Sequence, residues 1–208
     1  MAVSTMMGSK FVAEIRDDVE SWEKKLSYIQ NIIDEWLVFQ RQWMYLENIF
    51  NAEDIQTSLP NESVLFKGVD KFWKEFMTKQ KKDSHALGIV DGGGNLKKFL
   101  ENNKKLEDIQ KALEDYLGTK RAAFPRFYFL SNDELLEILS QTRNVQAVQP
   151  HLSKCFDNMK KIEFTKVKDS KEIVGMWSSE FEFVAFSTPV MAIGPVEHWL
   201  TNIEKMMC

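Results

Sequence analysis

The sequence is poor in residues that form covalent cross-links or cross membranes. It has only two cysteines, Cys155 and Cys208, which excludes a disulfide framework and favours a reducing intracellular compartment. No uncharged apolar run reaches the roughly 18–20 residues that a membrane span requires. The first ten residues lack a basic region followed by an apolar one, so we predict neither a signal peptide nor a membrane partner.

The charge balance is also modest, with 27 Lys and Arg against 31 Asp and Glu and a net charge of −4. A slightly acidic chain argues against nucleic acid as the main partner. The lysine-rich stretches 67–82 and 97–105 are interleaved with acidic residues. This pattern favours solvated helix faces, with an electrostatic docking surface as the alternative.

Aromatic residues, in contrast, are abundant: 15 Phe, 6 Trp and 4 Tyr. A hydrophobic fraction of 44% and a charged fraction of 28% are typical of a globular domain. Together these values predict a close-packed core in which rings fill much of the volume.

The first part of the chain has helical periodicity. Apolar residues recur at steps of three and four along a seam formed by Trp22, Leu26, Ile29, Ile33, Trp36, Gln40 and Trp43. Such a seam suits either an intramolecular core or an intermolecular coiled coil, and Trp at three of its positions favours the core. A second apolar stripe contains Tyr28, Ile32 and Phe39.

The pattern then predicts a helix from about Glu62, a loop over 79–94 and a third helix from Asn95 to Gly118. The aromatic run over 120–130 is typical of a strand, and Ser131 with Glu134 matches a capping box. Short helices follow, with one beginning near Pro150. A β-hairpin over 171–186 and a terminal helix complete the fold class: mainly α, an elongated helical bundle with a small β element in the C-terminal quarter.

No constellation of catalytic residues is evident, and we predict no catalytic, cofactor-binding or metal-binding residue in this chain. The glycine-rich stretch 88–93 is followed by Gly94 and Asn95, where a phosphate-binding loop needs Lys and then Ser or Thr. His151 and Cys155 lie four residues apart and share a helix face, an arrangement that suits a nucleophile with its base or two metal ligands. A half-buried Cys with a surface His is the favoured interpretation.

One longer string changes the interpretation. Residues 120–139 read KRAAFPRFYFLSNDELLEIL, and this string resembles the central signature of the linker domain of dynein heavy chains. The segments around Trp36–Pro60, Leu106–Leu117, Val148–Phe156, Gly175–Glu182 and Val196–Leu200 also resemble that family. The Leu-Ser-Asn-Asp-Glu and Val-Gln-Pro-His-Leu variants are more similar to axonemal than to cytoplasmic members.

The resemblance implies a partial linker domain over 1–208, with a helical part at 1–118, an aromatic strand plus short helices at 119–161, and a hairpin with a terminal helix at 162–208. It implies a non-catalytic lever that transmits ATP-driven rearrangements of the AAA+ ring to the tail for minus-end-directed ciliary movement on microtubules. The ring of the same heavy chain, intermediate and light chains and, indirectly, microtubules are the implied partners. ATP and Mg belong to the implied parent motor, and the implied location is the cytoplasm, cytoskeleton and ciliary axoneme. The alternative is a truncated, free-standing helical interaction module.

The resemblance also gives the structural residues of such a lever. We expect bending at the Gly92–Gly94 loop or, preferably, at the junction of Gly118 and Pro125. Phe124, Phe127 and Phe129 are predicted core residues, as are Trp22, Trp36 and Trp43 of the seam. Arg126 is either a buried strut for backbone carbonyls, which we favour, or a ring-docking contact.

One departure from the family concerns the hairpin turn. Members of the family usually carry Gly where Phe181 follows Ser178-Ser179-Glu180. If the turn requires a positive φ at this position, Phe181 is held in a costly conformation.

Overall fold

The computed structural model describes residues 2–91, 94–141, 144–167 and 170–207. It confirms a mainly α fold with a small antiparallel sheet near the C-terminal end. In these ranges, no helix combines the length and the apolar character needed to cross a membrane. The nine described α-helices are α1 (Ala2–Met7), α2 (Arg16–Phe50), α3 (Glu53–Ser58), α4 (Pro60–Lys82), α5 (Gly88–Asp91), α6 (Asn95–Ala123), α7 (Asn132–Ser140), α8 (Leu152–Cys155) and α9 (Val196–Met207).

Shorter elements connect these helices. Three 3-10 helices cover Ala13–Ile15, Pro125–Phe129 and Val145–His151, and the strands are β1 (Met159–Phe164), β2 (Glu172–Ser178) and β3 (Phe183–Met191). Of the predicted Gly92–Gly94 break, Gly92 and Gly93 lie outside the described residues. Gly94 has a φ of 80° and precedes α6, where its carbonyl accepts the amide of Lys98.

The chain divides into two compact units that alternate along the sequence. The first unit consists of Met1–Glu47 and Asn61–Gln110, and the second of Asn48–Pro60 and Lys111–Cys208. The three boundaries therefore fall inside α2, after the first residue of α4 and inside α6, and each unit has its own buried core.

The core of the first unit is a cluster of aromatic rings from three helices. Phe99 of α6 is fully buried, and its ring centroid lies 4.8 Å from that of Phe76 at nearly a right angle. Edge-to-face geometry of this kind is the preferred arrangement of aromatic pairs. The cluster comprises Trp36, Phe39, Trp43, Phe72, Trp73, Phe76 and Phe99.

The predicted core seam of α2 is wrong at Trp22, Leu26 and Ile33, whose side chains are exposed. Trp22 is 46% exposed, whereas Trp36 and Trp43 are half-buried in the ring cluster. The fully buried residues of α2 instead include Ile32, Phe39 and Leu46, which repeat every seven positions. Both stripes are apolar, and periodicity does not reveal which one faces the neighbouring helices.

The strand predicted over 120–130 is also wrong, and Gly118 does not end the third helix. α6 continues to Ala123, and residues 125–129 form a 3-10 helix. In a 3-10 helix, side chains three positions apart eclipse each other. Phe127 and Phe129, two positions apart, therefore lie on different sides of this helix: Phe127 is buried, as is Phe124 immediately before the helix, whereas Phe129, a predicted core residue, is 68% exposed.

The predicted hairpin is confirmed, and β1 adds a strand that the sequence pattern did not predict. The sheet order is β1-β2-β3, with both pairs antiparallel, and Trp177 is opposite Phe183. Gly175 permits close packing of β3, because a Cβ there would lie 2.5 Å from the carbonyl oxygen of Val184 and 2.7 Å from the Phe183 ring. Such distances leave no room for a side chain at position 175.

The hairpin turn does require the unfavourable backbone conformation at Phe181, whose φ is 66°. Ser178 stabilises the turn, since its hydroxyl oxygen accepts the amides of Glu180 and Glu182 at 3.2 and 3.1 Å. The Nζ of Lys160 lies 3.6 Å from the centroid of the exposed Phe181 ring. A left-handed conformation costs a non-glycine residue roughly 1–2 kcal/mol, and this cation–π contact offsets part of that cost.

Candidate functional site

The candidate site is a corner in the second unit, where α6 ends and the 3-10 helix 125–129 begins. A single residue, Phe124, separates the two helices, and its backbone is extended, with φ −136° and ψ 94°. Residues before proline avoid the helical region, and Pro125 suits the first position of a new helix. The chain therefore bends at Phe124–Pro125, whereas Gly118 lies in the continuous part of α6.

Aromatic packing fills the inside of this corner. Phe124 and Phe127 meet edge to face with centroids 4.9 Å apart, and Phe156 lies 6.0 Å from Phe124. All three side chains are essentially inaccessible to solvent. The predicted core residues Phe124 and Phe127 thus lie together at the bend.

Arg121, in the last turn of α6, holds the 3-10 helix through its backbone. Its Nη2 donates to the carbonyl of Leu130 at 3.1 Å and to Oδ1 of Asn132 at 2.9 Å, and its Nε donates to the carbonyl of Phe127 at 3.4 Å. One guanidinium fork thereby satisfies carbonyls that a strand would have paired in a sheet.

Arg126 connects the 3-10 helix to two distant parts of the second unit. Its Nε donates to Oε1 of Glu204 on α9 at 2.7 Å, and its Nη1 donates to the carbonyl of Cys155 at 3.1 Å. The guanidinium carbon lies 4.9 Å from the centroid of the Phe156 ring. The predicted contact of Arg126 to a backbone carbonyl therefore exists. The Arg126 side chain is 39% exposed, however, and so is not the buried strut that the sequence predicted.

A second ion pair lies on the other side of the bend. Nζ of Lys120 donates to Oε1 of Glu197 at 2.6 Å, and the Glu197 side chain is only 6% exposed. Glu197 and Glu204 are seven residues apart on α9 and hence share one face of that helix. α9 is therefore attached to both arms of the corner by charge-assisted hydrogen bonds.

The helix that follows the corner begins at a complete capping box. The Ser131 hydroxyl accepts the amide of Glu134, and the Glu134 carboxylate accepts the amide of Ser131. Lys154 also donates to this carboxylate. The hydrogen bond from Lys154, together with the hydrogen bonding to Ser131, lowers the pKa of the Glu134 carboxyl from its ordinary value of 4.5 to about 2.

The His151 and Cys155 pair lies beside the corner and offers no reactive thiol. The prediction of a surface His is wrong, because His151 is buried. Cys155 is buried too, and burial raises the pKa of its thiol to about 11. It is the carbonyl of Cys155, not its sulfur, that takes part in the corner, by accepting from Arg126. Among the described residues, no group of three or more His, Cys, Asp or Glu side chains is arranged to hold a metal ion.

The structure brings together Phe124, Pro125, Arg126 and Phe127 of the predicted residues, and it leaves Gly118 and Phe129 out of the contacts that brace the bend. Trp22, Trp36 and Trp43 belong to the first unit. The sequence interpretation missed four bracing residues: Lys120, Arg121, Glu197 and Glu204. The seven-residue spacing of the two glutamates was visible, but nothing local indicates that their partners lie 77 and 78 positions away.

Comparisons with known proteins agree with the resemblance noted in the sequence. A family model described as "Dynein heavy chain, N-terminal region 2" matches residues 1–208. The chain is 53% identical over 210 residues to mouse dynein axonemal heavy chain 2, and the matched region covers 100% of this chain and 5% of that protein. It is 50% identical over 206 residues to human dynein axonemal heavy chain 3, a match that covers 98% of this chain and 5% of that protein. It is 45% identical over 221 residues to human dynein axonemal heavy chain 6, a match that covers 99% of this chain and 5% of that protein.

Proposed function

The chain belongs to the dynein heavy chain, N-terminal region 2, family, and from this premise we propose that residues 1–208 are a partial linker domain, a non-catalytic mechanical segment of an axonemal dynein heavy chain. In this proposal the segment transmits ATP-driven rearrangements of the AAA+ ring to the tail and so contributes to minus-end-directed ciliary movement. The chain spans about 5% of the length of the relatives described above. ATP binding and hydrolysis, with Mg, are therefore assigned to other parts of the parent heavy chain.

The observation that carries the proposal is the braced corner of the second unit. A lever transmits force only if its bends do not open under load, and close-packed interiors have low compressibility. Here the bend at Phe124–Pro125 is filled by rings and bridged on both arms by Lys120–Glu197 and Arg126–Glu204. This arrangement supports a role in which displacement of one arm moves α9 as well.

The proposed setting follows from the same premise. We assign the segment to the cytoskeleton of the cilium, in the axoneme, with the AAA+ ring of the same heavy chain as its direct partner. Intermediate and light chains, and microtubules indirectly, are partners of the whole complex. We also place the fixed change of direction of the segment at the extended residue Phe124 rather than at Gly118, because α6 is continuous through Gly118.

The experiment that tests this function introduces Arg126→Ala into the parent heavy chain and measures microtubule gliding velocity together with the ATPase rate. We expect gliding to fall severalfold while the ATPase rate changes little, because Arg126 braces the lever and is absent from the chemistry. The charge exchange Arg126→Glu with Glu204→Arg should restore much of the velocity. Lys154→Ala, which removes an ion pair at the capping box away from α9, is the matched control and should leave velocity near that of the unmodified motor.

Two outcomes would contradict the proposal. Equal loss of velocity and ATPase rate would mean that Arg126 is not a coupling residue. A protein that exists in ciliated cells as a free chain of 24.3 kDa, unaffected by microtubules and ATP, would favour the free-standing interaction module instead.

A further inference from the structure

The sheet of the second unit has β1 at one edge, and Ile162 lies near the middle of that strand. In the sheet order β1-β2-β3, Ile162 is opposite Met176 of β2. Alternate residues of an antiparallel strand turn their N–H and C=O groups away from the partner strand. The outer side of an edge strand is therefore a template to which a strand of another polypeptide can add.

The side-chain amide of Gln149 occupies this outer side at Ile162. Its Oε1 accepts the backbone amide of Ile162 at 3.1 Å, and its Nε2 donates to the carbonyl of Ile162 at 2.9 Å. A primary amide offers the same donor and acceptor as a peptide group. Gln149 thus forms the pair of hydrogen bonds that one residue of a neighbouring strand would form.

A second glutamine fixes the orientation of the Gln149 amide. Nε2 of Gln149 also donates to Oε1 of Gln146 at 3.2 Å. Gln146 lies three positions earlier in the same 3-10 helix, Val145–His151, where side chains at this spacing eclipse each other. Both donors of the Gln149 amide are therefore used, and the opposite orientation would place its nitrogen against the N–H of Ile162.

Irregular strand pairing protects the rest of this edge. Register shifts between Met159 and Lys161 and between Glu163 and Phe164 interrupt the ladder on both sides of Ile162. Bulges of this kind twist an edge strand and discourage further pairing. Ile162 is therefore the point at which β1 would otherwise accept a strand.

The residues beside Ile162 indicate which strand fits this edge. If two copies of β1 meet antiparallel about Ile162, Lys161 of each copy lies opposite Glu163 of the other. Both side chains are partly exposed, at 51% and 33%, and opposite charges directly across a strand pair attract each other. The edge of β1 is therefore complementary to itself, so a second copy of the chain is the partner that suits it.

We propose that Gln149 closes the outer edge of β1, and that opening this contact exposes a surface through which two copies of the chain pair. The contact is autoinhibitory, because a side chain of the same chain occupies the hydrogen-bonding position of the added strand. This closure does not depend on a lever function. It gives a role to the glutamine of the Val-Gln-Pro-His-Leu segment, which takes no part in bracing the corner.

The first test is Gln149→Met in the 208-residue chain, which keeps the side-chain length but removes both hydrogen bonds to Ile162. At concentrations low enough for a monomer, hydrogen exchange at the Ile162 amide should become about tenfold faster. At higher concentrations, the dimer population in analytical ultracentrifugation should rise severalfold over that of the unmodified chain. Gln146→Met is the matched control, because it leaves both bonds to Ile162 in place, and it should change neither value appreciably.

Gln149→Glu provides a readout that a purely steric role would not move. The ionised side chain accepts from the N–H of Ile162 but repels its carbonyl, whereas the protonated acid donates to that carbonyl and restores both bonds. Exchange at Ile162, measured relative to Gln149→Met at the same pH, should therefore slow as the pH falls through the range in which carboxylates take up a proton.

A second substitution tests the pairing about Ile162. Glu163→Lys, added to Gln149→Met, places like charges opposite each other and should return the chain to the monomer. Circular dichroism checks the fold of each variant, and the shorter Gln149→Asn replaces Gln149→Met if that protein unfolds.

Three results would overturn the proposal. A dimer population in Gln149→Met no higher than that of the unmodified chain would show that Gln149 does not close the edge. A dimer that persists with Glu163→Lys would show that the copies do not pair about Ile162. Unchanged exchange at Ile162 in both Gln149 variants would show that the contact is absent in solution. Gliding and ATPase measurements on Arg126→Ala are independent of all three, so the lever proposal is tested separately.

Discussion

The first unit fills its centre with seven aromatic rings, whereas the second unit places three rings at one corner and ties its elements together with charged side chains. Ring packing gives stability in proportion to the area buried and tolerates small changes in orientation. Arginine and lysine contacts add little net stability but fix one geometry, because donors and acceptors must align. Both units bury an apolar core, and the second unit adds ion pairs between distant elements that fix the alignment of those elements.

The largest effect is expected for Phe99→Ala in the first unit. Phe99 is fully buried among Trp36, Phe39, Phe72 and Phe76, so the variant leaves a cavity and should lose about 4 kcal/mol of unfolding free energy. Phe99→Leu keeps most of the volume and should cost about 1 kcal/mol. Urea unfolding followed by tryptophan fluorescence measures both.

The neighbouring variant Leu100→Ala is the control, because Leu100 is 48% exposed and its truncation should cost less than about 1 kcal/mol. If Phe99→Leu were as damaging as Phe99→Ala, the cluster would depend on ring geometry rather than on volume. The contrast between the two units would then be smaller than we infer.

The next largest effect is expected for Lys120→Met in the second unit. The variant leaves the Glu197 carboxylate buried without its cation, which should cost about 3 kcal/mol in urea unfolding. The double variant Lys120→Met with Glu197→Leu should recover most of that loss, because well-packed apolar residues replace buried ion pairs at little cost.

Lys97→Met is the matched control from the first unit, where the Lys97–Glu101 pair is mostly exposed. Its stability should change by less than about 0.5 kcal/mol. Equal losses for Lys97→Met and Lys120→Met would show that the ion pairs of the second unit have no special role in its stability.

A smaller effect is expected at the strained hairpin turn. Phe181→Gly relieves the positive φ but loses the Lys160 contact and adds chain entropy to the unfolded state, so we expect a net gain of about 0.5 kcal/mol. Glu180→Gly, at the preceding residue of the same turn, should instead lose about 0.5 kcal/mol. Thermal unfolding of the two variants measures the difference, and a Phe181→Gly protein less stable than Glu180→Gly would show that no strain is stored there.

The smallest effect is confined to acid pH. Because the pKa of Glu134 is lowered to about 2 in the folded protein, its carboxylate stabilises the fold above pH 4.5, and this contribution is lost as the pH falls towards 2. Glu134→Gln keeps the capping geometry but removes the charge. The stability difference between the two proteins should therefore be constant near neutral pH and shrink between pH 4.5 and 2. A difference that persists at pH 2 would contradict the assignment.

The same contrast between the units explains what the sequence could and could not predict. The long helices, the capping box at Ser131, the hairpin and the terminal helix all follow from local patterns, because their signals lie within a few residues. The buried face of α2 does not follow from the local pattern, because the helix carries two apolar stripes. Which stripe is buried, the one with Trp22 or the one with Ile32, depends on the helices that pack against α2. The run 125–129 has the composition of a strand, but Pro125 and the reach of Arg121 to two carbonyls make it a 3-10 helix.

The candidate site shows the same limit more sharply. The signature string contains Phe124, Arg126 and Phe127, but nothing in it indicates that Arg126 pairs with Glu204 on α9. Charged residues at 197 and 204 look like ordinary surface positions until the fold places Lys120 and Arg126 opposite them. Long-range polar pairing has no local signal that a single sequence reveals.

The two ion pairs on α9 also determine how this helix resists tilting of its axis. An element held at one point pivots about it, whereas an element held at two points transmits torque. Glu197 and Glu204 are seven residues apart, which separates the two attachments by about 10 Å along the helix axis. A turning force on α9 thus becomes a pair of opposed pulls on Lys120 and Arg126, on either side of the bend at Phe124. The corner and the helix rotate as one piece until one of the two ion pairs breaks.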